Sequence, residues 1–115
     1  MPCIHTPRTH IEQINLANNV TTNTTIGPTN GVPDAKTFWA EVVGTGAVSC
    51  TVKIWGSRKS TYAANTAMLL STLTPSDTTE AVDAAAVSLA TYPYYFVTTE
   101  SISGTGATVR VEVFY

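Results

Sequence analysis

Few residues in this chain have side chains suited to catalysis or metal binding, and three of them sit at its start. Cys3, His5 and His10 offer one thiolate and two imidazoles, donors that zinc accepts, but their spacing follows no zinc pattern. The same two histidines are the only general bases of the usual kind, and neither has a neighbouring nucleophile or carboxylate in a recognisable arrangement. Asp77, Glu80 and Asp83 bring three carboxylates close together, yet among threonines and alanines they read as a solvated loop. Gly44-Thr45-Gly46 and Gly104-Thr105-Gly106 lack the strand-to-helix setting that a phosphate-cradling loop needs, so both read as turns between strands. The expectation is a protein that is not an enzyme, with no catalytic site, no metal, no cofactor and no small-molecule substrate.

Aromatic side chains are the more informative feature. Trp39 and Trp55 fall in step with Glu41 and Lys53, and Phe96 and Phe114 with Glu100 and Arg110, so each pair shares a polar strand face. Aromatics so placed are covered by another part of the chain, anchor a protein partner, or, for the two tryptophans, make a sugar-stacking platform.

The elements that must position them are strands. Thr37 to Ser57 reads as a hairpin about Thr45, setting Val42 opposite Val48, Ala40 opposite Cys50 and Phe38 opposite Val52, with Ile54 continuing an apolar face. Tyr92 to Tyr115 repeats the design about Thr105, with Val97 opposite Val113, Thr99 opposite Val111, Tyr95 opposite Tyr115, and Glu100 facing Arg110 across the strands. Met68 to Thr74 is a third strand, ended by Pro75, and 75–79 is a loop. In Glu80 to Ala90, Val87 and Leu89 alternate like a strand, while Val82 and Ala86 also permit a helical turn. Residues 1–36 read as an extended arm with one short strand around Ile11, Ile14 and Leu16, followed by a long loop to Lys36. The expected architecture is one all-β domain, an antiparallel β-sandwich of jelly-roll type over 37–115 preceded by that N-terminal arm.

Composition narrows the partners. The 115 residues are 43% hydrophobic but only 12% charged, so the exposed surface must be largely Thr, Ser, Asn and Ala, a kind of surface that often lies against something. Net charge is -2 and the six Lys and Arg are scattered, which argues against nucleic acid. No apolar run approaches a membrane span, and MPCIHTPRTH lacks the hydrophobic centre of a signal peptide, so the expectation is a soluble chain made in the cytoplasm. Cys3 and Cys50 are then expected as free thiols. The sequons at Asn19 and Asn23 read as chance matches in a Thr/Asn-rich loop.

AEVVGTGAVSCTVKIWGS, a middle strand and then YPYYFVTTESISGTGATVRVEV together resemble a pattern of small structural proteins of tailed bacteriophages. Size and the sandwich reading resemble most the cement or staple proteins that decorate the capsids of short-tailed phages. The similarity spans Thr37 to Tyr115; Gly56-Ser57-Arg58-Lys59 departs from the Ser-Asn-Asp-Gly turn frequent after the second strand. It implies a jelly-roll-like, often dimeric protein on the outside of the virion, bound in many copies to the major capsid protein and bridging capsomers. On that view the arm, with Ile11, Ile14 and Leu16, reaches a neighbouring subunit, and Trp39/Trp55 or Phe96/Phe114 forms the dimer or shell contact.

Overall fold

The computed structural model describes residues 13–30, 36–87 and 92–114, side chains at 13, 14, 30 and 36 excepted. Every element among them is a strand: β1 (Gln13–Val20), β2 (Thr24–Asn30), β3 (Lys36–Ser57), β4 (Ala67–Leu73), β5 (Ser76–Val87) and β6 (Tyr94–Phe114). All pairings are antiparallel. The fold is all-β.

β3 and β6 are 22 and 21 residues long, far beyond an ordinary strand of ~5–6 residues. They run side by side for their whole length, from Thr37 opposite Phe114 to Ser57 opposite Tyr94. Each is interrupted at its Gly-Thr-Gly, where the register slips between Val43 and Thr45 and again before Ser49 and Thr51. Bulges at such slips bend and twist a strand, which is how one strand turns a corner from one sheet layer into another. The bend is large enough to bring Phe38, near the start of β3, to a ring-centroid distance of 6.1 Å from Tyr95, which lies opposite Gly56 near the end of β3. The doubled ribbon is therefore folded over on itself as two layers.

Each layer has four strands among the described residues. The first is ordered β1, the C-terminal half of β6, the N-terminal half of β3, β5; the second is ordered β2, the N-terminal half of β6, the C-terminal half of β3, β4. Phe38, Ala40, Val42, Val48, Val52 and Ile54 of β3 face Tyr95, Val97, Val109, Val111 and Val113 of β6 in one core. Cys50 lies among them as a free thiol.

The expected apolar faces are thus present, but the two expected hairpins are not. Val42 pairs with Val109, Ala40 with Val111 and Phe38 with Val113, so β3 bonds to β6 and not to itself. Period-2 alternation cannot separate the two arrangements. A hairpin sets its arms about 4.8 Å apart edge to edge, and a folded ribbon sets them about 10 Å apart face to face, yet both keep the same side chains together. The expected Glu100–Arg110 pair is replaced by Lys53–Glu100 at 3.2 Å and Arg110–Glu112 at 3.6 Å. Ser76 to Val87 is strand throughout, which removes both the loop reading of 76–79 and the helical turn at Val82 and Ala86.

The long loop expected before Lys36 also gives way in part to strand. β1 and β2 both bond to β6, one along each half, and so complete both layers. Ala17 is buried in the core and Leu16 is half-buried against it. Ile14 pairs through its backbone with Val113, while Ile11 lies outside the described residues, as do Cys3, His5, His10 and Tyr115. Thr24 to Asn30 lacks apolar alternation because it is a sheet edge that buries little; Ile26 is its one aliphatic side chain against the core.

Candidate protein-contact faces

Because the inner faces of both layers are filled, the side chains open to a partner among the described residues lie on the outer faces and edges. On the first layer, alternation turns Trp39, Glu41 and Val43 of β3 outward. Their neighbours across the sheet are Glu112, Arg110 and Thr108 on β6 and Ala84, Val82 and Glu80 on β5. Trp39, Val43 and Val82 are 36%, 43% and 48% exposed, unusual values for large apolar side chains standing together on a sheet. Phe114 adds a half-buried ring at the end of this face.

The polar groups between them are interlocked. Arg110 donates from Nε to Asn18 Oδ1 at 3.3 Å and approaches the Glu112 carboxylate at 3.6 Å. Partial burial raises the Glu41 pKa above its ordinary 4.5, helped by a hydrogen bond to the Glu80 side chain and repulsion from that carboxylate, with Arg110 opposing and Glu112 adding to the rise.

The outer face of the second layer is built differently. The Trp55 ring meets Tyr62 edge-on at 5.6 Å, Tyr62 lies 5.7 Å from Phe96, and Trp55 Nε1 donates to Thr98 Oγ1 at 3.0 Å. Phe96 is only 2% exposed. This aromatic cluster is covered by the chain's own 58–66 connection, with Tyr62 as the cover. Beside it an open groove of about 500 Å³ runs past Tyr62, Asn23, Thr25 and Glu100.

Trp39 and Trp55 share a strand but stand on opposite outer faces, and so do Phe114 and Phe96. The sequence-derived pairs are therefore each split between layers, and no surface presents both tryptophans. Tyr62, Val43 and Val82 complete the two faces and were not singled out in the sequence. Val43 was legible from its step with Trp39; Val82 needed the β3–β5 register, and Tyr62 lies in a connection that no periodicity describes.

Other groups with chemical potential are occupied structurally. Asp83 accepts hydrogen bonds from the Thr74 and Ala84 backbone N–H groups at 2.9 Å, and Asp77 from that of Thr78 at 2.7 Å, while Glu80 turns to Glu41. The three carboxylates do not converge. Burial pushes the Cys50 thiol up to about 11, which keeps it protonated and unreactive at neutral pH. Among the described residues no group of three His, Cys, Asp or Glu is placed to hold a metal ion, and no helix is long and apolar enough to cross a membrane.

No protein-family model matches the chain, and comparison with curated protein sequences finds no match either. The fold and its faces describe an all-β sandwich in which Trp55 and Phe96 are covered by Tyr62 on one outer face, beside an open groove and the exposed Met68 and Leu69 of β4, while Trp39, Val43 and Val82 stand exposed on the other.

Proposed function

We propose that this chain is a structural virion protein, a capsid decoration or cement protein that binds the outside of an icosahedral phage head. Its partner is the major capsid protein, and the first layer's outer face makes the contact. The observation that carries this reading is the exposure of Trp39, Val43 and Val82 together on one sheet face, around charged groups that are engaged with one another. A cement protein needs area more than catalytic groups: about 800 Å² per partner makes a standard interface, and shell symmetry repeats it many times. Burying the Trp39 ring at the centre of such a contact supplies the kind of anchor that dominates interface energetics. The resemblance of 37–115 to phage staple proteins supports the same reading. Leu16 packs on the chain's own core and is not part of that contact.

The test is exchange of the face. A Trp39→Ala/Val82→Ser chain supplied in place of the wild type is expected to leave the particle fraction, while Tyr62→Ala stays bound. Retention of the first variant at wild-type copy number would refute this face as the shell contact.

A carbohydrate-binding module is the second reading, and the groove favours it: the Tyr62 ring beside Glu100 and Asn23 combines a stacking surface with hydrogen-bonding groups. Glycan-dependent quenching of tryptophan fluorescence that Tyr62→Ala abolishes would select it.

A further inference from the structure

The four sheet edges are not equivalent. An edge strand exposes a row of unpaired N–H and C=O groups, and proteins that stay monomeric blunt it with charges, prolines, bulges or distortions. β1 has two register slips and Asn19 at φ 58°. β2 contains Pro28, which donates nothing to a ladder, and a slip around it. β5 carries Asp77, Glu80 and Asp83, with Thr79 at φ 63°. β4 carries the fewest of these devices, one slip with no charge, proline or positive φ.

β4 pairs only with β3, so its other side is free among the described residues. Its sequence AMLLSTL has no charge and no proline, and no charged residue occurs anywhere from Thr61 to Ser76. It does carry one bulge: Ile54 faces Ser71 while Trp55 faces Leu69, which leaves Leu70 as the extra residue. That bulge turns Leu70 towards the core and leaves both Met68 and Leu69 outside, at 61% and 48% exposure, flanking the free edge.

We infer that the free edge of β4 is where a second copy of this chain pairs, antiparallel strand to strand about a twofold axis. In a twofold contact each strand meets itself, so any charge near the axis faces its own like. β5 would set carboxylates against carboxylates, whereas β4 sets leucine, methionine, serine and threonine against one another. The pairing joins the second layers of two molecules into one eight-stranded sheet and covers Met68 and Leu69. It stands independently of the capsid reading, because it uses a different surface.

Sedimentation equilibrium of the full chain tests it. The expected result is a concentration-dependent species of twice the 12.2 kDa chain mass at about 100 µM, with association only weakly dependent on salt, because β4 itself carries no charge and the Asp83 carboxylate at its Thr74 end is held in a hydrogen bond. Met68→Lys/Leu69→Lys should weaken association at least about 100-fold through like-charge juxtaposition. Both side chains are exposed, so far-UV circular dichroism should not change. The uncharged pair Met68→Thr/Leu69→Thr gives a smaller weakening and serves if the lysine variant fails to fold. A wild type that is monomeric throughout, a dimer that survives these substitutions in a folded variant, or a dimer lost with Trp39→Ala/Val82→Ser would each overturn the assignment.

Discussion

Trp39 and Trp55 occupy one strand yet hold up different things. Trp55 packs between Tyr62 and the sheet and gives its indole N–H to Thr98, so Trp55→Phe should cost about 1 kcal/mol for the lost hydrogen bond. Trp55→Ala, which also empties the aromatic cluster, should cost about 2–4 kcal/mol. Trp39→Ala touches only the outer face and should fall within about 0.5 kcal/mol of wild type. Urea denaturation of the three variants reads all of these, and a large loss in Trp39→Ala would mean that the first face is covered by the chain itself.

Glu41 makes the pH prediction at the same scale. Its folded pKa is raised, so the folded state holds the proton more tightly than the unfolded chain does. Stability therefore falls as pH rises from the ordinary 4.5 through the raised folded value, and above that window the ionised Glu41 costs stability. Glu41→Gln should stabilise the protein at pH 7 by under about 1 kcal/mol, because solvent screens this half-buried group. The difference should close towards pH 4, where the wild-type carboxyl is protonated in both states. Thermal melts across pH 4–8 would show it, and a variant that is less stable than wild type at pH 7 would contradict the repulsion between Glu41 and Glu80.

At the scale of elements, the corner is the controlling feature, and its glycines are not interchangeable. Gly104 has φ 124°, and a Cβ there would lie 2.8 Å from Val48 Cγ1 and 3.1 Å from the Ala47 carbonyl oxygen. Gly46 has φ 75° with nothing within 4 Å of a Cβ. Gly104→Ala should thus combine backbone strain with a clash, at about 2–4 kcal/mol, while Gly46→Ala should cost only the left-handed penalty of about 1 kcal/mol. Equal denaturation midpoints for the two variants would argue against a tightly packed corner.

The corner is also where sequence and structure diverge. Alternation through Phe38, Ala40 and Val42, and again through Val48, Cys50, Val52 and Ile54, made the buried face legible, because burial acts on side chains one at a time. Gly-Thr-Gly did not reveal whether the strand doubles back beside itself or bends over, since partner choice depends on backbone hydrogen bonds to β6, a segment distant in sequence. β5 was legible only in part for a related reason: an alanine-rich edge strand has weak alternation, and its identity comes from pairing with β3. The candidate site was legible residue by residue, as aromatics on polar faces, but not as a surface. Trp39 and Trp55 have the same parity, and only the fold-over places them on opposite sides of the molecule.

For the whole molecule, these features combine in one layout. A doubled ribbon closes a core between its halves, covers Trp55 and Phe96 with Tyr62 on one outer face, and leaves Trp39, Val43 and Val82 uncovered on the other, with Met68 and Leu69 exposed along β4. β4 carries no charged side chain, and on the uncovered face the charges that lie among the apolar groups are already engaged, Arg110 with Glu112 and Glu41 with Glu80. The central claim is that the contact is with a particle shell. It is tested most directly by sedimenting the native source material and measuring, by mass spectrometry, the copy number of this chain against the most abundant protein in the particle fraction. The account predicts co-sedimentation with large particles at near-stoichiometric copy number. A few copies per particle would move the protein to a neck or tail, and recovery in the soluble fraction alone would contradict the claim.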